Sequence, residues 1–366
     1  LLIAPVGNNV AGFLTPFIIY RIIGGVGVGL ASMLSPMYIA EISPAAKRGN
    51  LVSWNQFAII FGMLVVYFVN WTISKQGNET WLHEFGWRWM FFSETIPGVL
   101  FLTLLFFVPE SPRWLVMQSK EEKALTILTS INGKEIAAHV LTEIKETVTG
   151  VGTSKLFSYG FTIVIVGVLL SVFQQFVGIN VVLYYAPEIF KNMGSNTDVS
   201  LLQTIIVGSI NLTFTVLAIF TVDRYGRKPL MIIGALGMAV SMIALGFTFY
   251  VQNMGIAALL FMLTYVASFA MSWGPVTWVL LSEIFPNRIR GRVMAVAVAA
   301  QWISNYLVSW TFPMMDKSSS LNAVFHHGFA YWIYGVMGIL AALFMWKYVP
   351  ETKGKSLEEM ERLWKK

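Results

Sequence analysis

Apolar residues run almost uninterrupted for about twenty positions at a time, and they do so nine times, near 17–39, 51–73, 89–108, 160–187, 201–222, 229–251, 256–281, 293–313 and 329–349. A bilayer core needs roughly 20 apolar residues per helix. None of the runs alternates with period two as a strand of a membrane barrel would, so each predicts a transmembrane helix. One long polar break separates the third run from the fourth, from Glu110 to about Ser158. Within it, Ser119-Lys120-Glu121-Glu122 reads as a capping box. It opens an amphipathic helix carrying Ala124, Leu125, Ile127, Leu128 and Ile131. Val140, Leu141, Ile144 and Val148 predict a second. Residues 1–108 are therefore read as one transmembrane part and 109–158 as a helical linker. Residues 159–349 form a second transmembrane part and 350–366 a cytoplasmic tail.

The two parts resemble each other. Glu41-Ile42-Ser43-Pro44 and the downstream Lys47-Arg48-Gly49 return as Glu283-Ile284-Phe285-Pro286 and Arg288-Ile289-Arg290-Gly291, about 240 residues later. Pro109-Glu110-Ser111 returns as Pro350-Glu351-Thr352 at the same spacing. Internal repeats of this kind mark transporter folds. Three spans (160–187, 201–222 and 229–251) lie ahead of the motif-bearing span in the second part, and none lies ahead of it in the first. The expectation is two six-helix halves, with three spans lying before residue 1 and helices 4–12 present here.

Composition narrows the class. Hydrophobic residues make up 56% and charged residues 12% of the chain, where a soluble domain has about 25% charged residues. The absence of cysteine excludes disulfides and thiolate chemistry. His83, His139, His326 and His327 lack metal-ligand spacing, and no metal or cofactor is expected. A net charge of +6 reads as basic cytoplasmic loops rather than nucleic-acid binding. Lys47 and Arg48, Arg113 with Lys120 and Lys123, Arg224 with Arg227 and Lys228, Arg288 with Arg290 and Arg292, and Lys353 with Lys355 occupy alternate loops. The intervening loops hold only Lys75, Lys191 and Lys317. The positive-inside rule places the first set, and the C-terminus, in the cytoplasm.

Polar residues inside the runs carry the candidate chemistry. Gly25 and Gly29 read as a helix-packing motif, because no strand precedes them as a phosphate loop requires. Arg21 either snorkels to the headgroups or pairs with a buried carboxylate. Glu94 lies too deep, and is too short, to snorkel, which points to a paired or functional role. Gln174, Gln175 and Asn180 place three amides within seven residues. In an unbroken helix Gln175 and Asn180 would lie about 140° apart. Gly178 between them permits a bend that brings them to one cavity. Gln56 and Gln301 lie about 10 and 15 Å inside their inner helix ends. Neutral amides suit an uncharged polyhydroxylated ligand, since each offers donors and an acceptor to hydroxyls. Trp278 and Trp302 lie at similar depth, where a ring face can stack on a sugar, although most tryptophans in such a chain serve the core or the interface.

Together these segments resemble the sugar porter family of the major facilitator superfamily, and within it the bacterial D-xylose–proton symporters. The resemblance covers essentially the whole chain. It rests on Tyr20-Arg21-Ile22-Ile23-Gly24, Glu41 to Arg48, Pro109-Glu110-Ser111-Pro112-Arg113, Gln174-Gln175 with Gly178-Ile179-Asn180, Asp223-Arg224 with Gly226-Arg227-Lys228, Gly274-Pro275 with Trp278, and Pro350 to Gly354. It implies an all-α major facilitator fold and sugar contacts at Gln56, Gln174, Gln175, Asn180, Trp278 and Gln301, with Tyr184, Asn211 and Trp302 nearby. It also implies that Arg21 pairs with an aspartate on the first helix and that Glu94 relays or gates the proton. Glu41, Arg48, Glu110, Arg113, Asp223, Arg227, Glu283, Arg290 and Glu351 are expected to form a cytoplasmic gate, charge networks that hold in one state and break in the other.

The expected function is import of a monosaccharide, D-xylose foremost, with protons by alternating access. The partners are sugar, proton and lipid, the setting a bacterial inner membrane, and the protein a monomer. A carrier for another pentose or hexose, a uniporter, and a sugar sensor on a transporter scaffold are the alternatives. No catalytic grouping lies in the spans, so no enzyme is expected.

Overall fold

The computed structural model describes residues 10–43, 48–148, 160–253, 255–285 and 289–353. These are almost wholly helical, and eight of their helical stretches are long and apolar enough to cross a bilayer. The chain divides into two compact units, Leu1–Asn55 with Val65–Val151 and Gln56–Leu64 with Gly152–Lys366.

In the first unit α1 runs Val10–Ile42, and the ends of α2 (Arg48–Ser74) accompany it. Ser35 Oγ donates to Asn55 Oδ1 at 2.9 Å, a polar tie between two apolar helices. A capped turn, α3 (Glu79–Trp81), leads through a π-helical turn (Leu82–Gly86) into α4 (Trp87–Ser93) and α5 (Thr95–Leu105). The expected span 89–108 is thus interrupted at Glu94. The cause is Pro97, which has no N–H for the Ser93 carbonyl and whose ring crowds it. Glu94 itself keeps helical torsions, φ −63° and ψ −20°.

The polar stretch after α5 folds as α6 (Pro112–Met117), α7 (Glu121–Asn132) and α8 (Lys134–Val148), packed on Leu128, Ala137 and Ile144. Both expected amphipathic helices form, but the expected capping box does not. Ser119 has φ 58°, and Lys120 precedes α7 without a side-chain cap. The Ser119 and Lys120 N–H groups instead donate to Val116 and Leu115 carbonyls at 3.0 and 2.8 Å. Ser119 therefore closes the end of α6 in a Schellman turn rather than opening α7.

The second unit contains α9 (Phe161–Phe176), α10 (Ile179–Asn192), α11 (Thr197–Tyr225), α12 (Arg227–Tyr250), α13 (Ile256–Met271), α14 (Pro275–Ile284), α15 (Arg290–Asp316), the short α16 (Ser319–Phe325) and α17 (Phe329–Tyr348). Its core is continuous, and Trp273, Tyr265, Tyr331, Phe190 and Phe285 are among its fully buried side chains. α12 and α17 pack backbone to backbone. A Cβ on Gly338 would lie 3.2 Å from the Ala235 carbonyl, and one on Gly335 only 2.6 Å from the Ile243 side chain. Small residues allow such contact where the hydrophobic effect gives no help between helices.

Gly178 joins α9 to α10 with φ 92° and ψ 14°, the left-handed region. A Cβ there would meet the Tyr334 ring at 2.7 Å. Gly178→Ala should lower stability by about 1–2 kcal/mol from the torsion alone, and by more from the clash. Thermal unfolding in detergent measures it. The double variant with Tyr334→Leu should recover only the steric part.

Candidate functional site

Two interrupted helices build the site. Between α9 and α10, the Val177 carbonyl loses its helical partner, and the buried Tyr265 hydroxyl donates to it at 2.8 Å. Between α13 and α14, residues 272–274 form a turn, and Pro275 supplies no N–H at the start of α14. The Trp273 and Gly274 carbonyls face the interior there, and Gln174 Nε2 lies 2.9 and 3.5 Å from them. Gln174, 3% exposed, thus crosses from one interruption to the other. The span near 256–281 reads as continuous in the sequence, yet Gly274-Pro275 is a turn signal that could have marked the interruption.

The direction of the amide chain is forced. The Trp273 carbonyl only accepts, so the nitrogen of Gln174 must face it. Gln174 Oε1 then accepts from Gln301 Nε2 at 2.6 Å. Gln301 Oε1 remains buried with no hydrogen-bond partner, and so does Asn211 Oδ1 on α11. A second branch crosses the Gly178 break. Asn180 Nδ2 donates to Gln175 Oε1 at 2.5 Å and to Asn305 Oδ1 at 3.0 Å. The interrupted helix therefore brings Gln175 and Asn180 together, as Gly178 led one to expect. The assembly leaves one buried oxygen acceptor, Gln301 Oε1, without a donor, at the end of a chain of neutral amides. Hydroxyl-bearing ligands supply such donors.

At one end of the same unit lies a charged cluster. Arg227 donates through Nη2 to Glu283 Oε1 at 3.0 Å, and Thr352 Oγ1 donates to Glu283 Oε2 at 2.6 Å. Glu351 caps α12, accepting from the backbone N–H groups of Arg227 and Lys228 at 3.0 Å each. Those of Thr352 and Lys353 donate to it at 3.0 and 2.9 Å. Gly226, φ 92°, lets the carboxylate approach, since a Cβ there would lie 2.9 Å from Glu351 Oε2.

Residues 2–364 match the family described as "Sugar (and other) transporter". Over 359 residues the chain is 66% identical to the D-xylose-proton symporter of Escherichia coli K12, an alignment covering 97% of this chain and 72% of that protein. It is 44% identical over 352 residues to the glucose facilitated diffusion protein of Zymomonas mobilis, covering 95% and 74%. It is 42% identical over 352 residues to the arabinose-proton symporter of Bacillus subtilis, covering 95% and 75%. A solved structure of the major facilitator superfamily proton:xylose symporter XylE, bound to 6-bromo-6-deoxy-D-glucose, matches with a TM-score of 0.85 at 66% identity. That match covers 97% of this chain and 75% of XylE. This chain belongs to the sugar (and other) transporter family.

The transporter is a multi-pass membrane protein of the major facilitator fold and not an enzyme. The remaining expected residues of this transporter lie as follows. Trp278 on α14 is half-buried against the core, and Gln56 is half-buried on α2. No hydrogen bond joins Gln56 to the amides among the described residues. Tyr184 is 51% exposed and Trp302 39% exposed. The neighbour Tyr185, not Tyr184, donates to a backbone carbonyl of α15, that of Ser309, at 3.0 Å. Arg21 on α1 stands over the Phe91 ring at 5.5 Å, and Glu94 is exposed at the α4–α5 junction. Glu110 and Arg113 are exposed where α6 begins. The side chains of Glu41, Arg48, Asp223 and Arg290 lie outside the described residues. Asn305 escaped the sequence reading, although it lies one helical turn beyond Gln301, where a polar residue on the same face could have shown it.

Partial burial pushes the Glu351 carboxyl up, but the N–H groups of Lys353, Arg227, Lys228 and Thr352 outweigh it and hold the group below its ordinary value of 4.5. A depressed folded value means stability that is present above 4.5 and lost as pH falls through the lower folded value. Glu351→Gln should therefore melt below the unsubstituted transporter near neutral pH. The gap should close as the pH drops beneath 4.5, which thermal melts at stepped pH would reveal.

Proposed function

We propose that this transporter imports D-xylose together with protons by alternating access across a bacterial inner membrane, with its C-terminus in the cytoplasm, acting as a monomer. The observation that carries the sugar reading is the unpartnered Gln301 Oε1, a buried acceptor at the end of a chain of neutral amides that starts at a helix break. A charged substrate would need a counter-charge there. A sugar hydroxyl needs an acceptor, and the substrate sites of such transporters form at discontinuous helices. The 66% identity to a D-xylose-proton symporter supports xylose, and 42–44% identity to arabinose and glucose carriers keeps other monosaccharides as the second reading.

Gln56, Gln174, Gln175, Asn180, Asn211, Trp278 and Gln301 are the proposed sugar-site residues, with Tyr184 and Trp302 at its margin. Arg21 and Glu94 are the proposed proton-coupling residues, since a carboxylate and a guanidinium at membrane depth are costly unless they do such work. Arg227, Glu283 and Glu351, which form a cluster in the second unit, are proposed gate residues on the cytoplasmic side, as are Asp223 and Arg290 of the same unit and Glu41, Arg48, Glu110 and Arg113 of the first. The excess of Lys and Arg in alternate loops supports this orientation.

Counterflow of labelled D-xylose, L-arabinose and D-glucose in proteoliposomes tests the reading. D-xylose should exchange fastest, and an inward proton gradient should drive its accumulation until a protonophore collapses it. Gln301→Ala should weaken xylose binding roughly five- to a hundred-fold, the cost of one lost desolvated hydrogen bond. Net uptake that never exceeds equilibration, whatever the proton gradient, would make the protein a uniporter.

A further inference from the structure

Asn180 stands two residues beyond the Gly178 break and carries two amide hydrogens. One goes to Gln175 Oε1 and the other to Asn305 Oδ1. An amide whose two hydrogens are both committed can offer a ligand only its oxygen. Asn305 is 8% exposed on α15, and its Oδ1 also accepts from Ser309 Oγ at 3.2 Å. Two donors thus converge on that one oxygen, and the position of the Asn180 side chain depends on it.

The same pair of helices is tied twice more. Tyr185 of α10 donates to the Ser309 carbonyl at 3.0 Å. Farther along, Asn192 Nδ2 lies 3.2 and 3.3 Å from the carboxylate oxygens of Asp316, which His327 Nδ1 also approaches at 2.9 Å. α10 is therefore held against α15 at its middle and far end without Asn305. What Asn305 alone controls is the first turn after the break, where Asn180 sits.

We infer that Asn305 is a positioning residue of the sugar site: it takes the second hydrogen of Asn180 and so turns the Asn180 oxygen toward a hydroxyl of the ligand. This rests on the sugar-site reading above. Asn305 need not touch the sugar. Without its acceptor the Asn180 amide can rotate, and a site built to accept a hydroxyl hydrogen can then present an N–H instead.

The test is binding and counterflow of D-xylose and its monodeoxy analogues, each with one hydroxyl replaced by hydrogen, using the reconstituted protein. Unsubstituted protein should bind most analogues more weakly, one of them through the loss of the Asn180 contact. That analogue is identified as the one whose penalty disappears in Asn180→Ala. In Asn305→Leu, affinity for D-xylose should fall about ten-fold, the scale of one hydrogen bond to a buried partner, with turnover at saturation retained. The penalty for the same analogue should shrink while those for the others persist. Asn305→Asp, which keeps an acceptor in place, should restore it. Adding Asn305→Leu to Asn180→Ala should change nothing further, as expected for two residues acting through one contact. A uniform loss across all analogues, or a lower melting temperature with discrimination unchanged, would make Asn305 merely structural and overturn the inference. If unsubstituted protein binds neither D-xylose nor any analogue, the sugar reading itself fails and the inference with it.

Discussion

A helix cannot break inside a bilayer unless every backbone group it frees finds a partner, because no water is there to supply one. The second unit of this protein breaks two of its membrane-spanning stretches and meets that demand with side chains. Tyr265 answers the Val177 carbonyl and Gln174 answers those of Trp273 and Gly274. The amide site follows from this repair. Gln174 is oriented by carbonyls that can only accept, Gln301 is oriented by Gln174, and an unused oxygen results. Polarity is thereby transmitted from the backbone to the place where a ligand would bind, over three residues and without any charge.

The charged end of the unit solves a different problem. There water is close, and isolated ion pairs count for little. Arg227, Glu283, Thr352 and Glu351 gain their effect by working on the start of α12, where unpaired N–H groups and the helix dipole favour a carboxylate. Glu351 reaches those groups only because Gly226 has no side chain. The cluster joins α12, α14 and the segment after α17, so any motion of one relative to another must break specific bonds. A gate needs that property.

Much of this was legible in the chain. Long apolar runs have a length set by the bilayer, so the spans could be read directly. Gly178 among three amides was readable because amides are out of place in a lipid-spanning helix and a glycine between them permits a break. The interruption at residues 272–274 was harder to see, since Ser272, Trp273 and Gly274 continue an apolar stretch and only Gly274-Pro275 betrays it. Glu94 stood out as a charge, but the discontinuity beside it comes from Pro97, three residues on. Ser119 misled, because the same residue that suits the start of a helix can end the previous one when its φ is positive. Asn305 and Tyr185 gain their meaning from α10 and α15 lying side by side, a tertiary fact that no local pattern carries.

The most direct measurement of the central claim is a structure of the protein with D-xylose bound. Sugar density is expected beside the Gly178 break, with a hydroxyl oxygen within about 3 Å of Gln301 Oε1 and the Gln174 nitrogen still on the Trp273 carbonyl. Sugar bound elsewhere, with Gln301 Oε1 still lacking a partner, would contradict the claim.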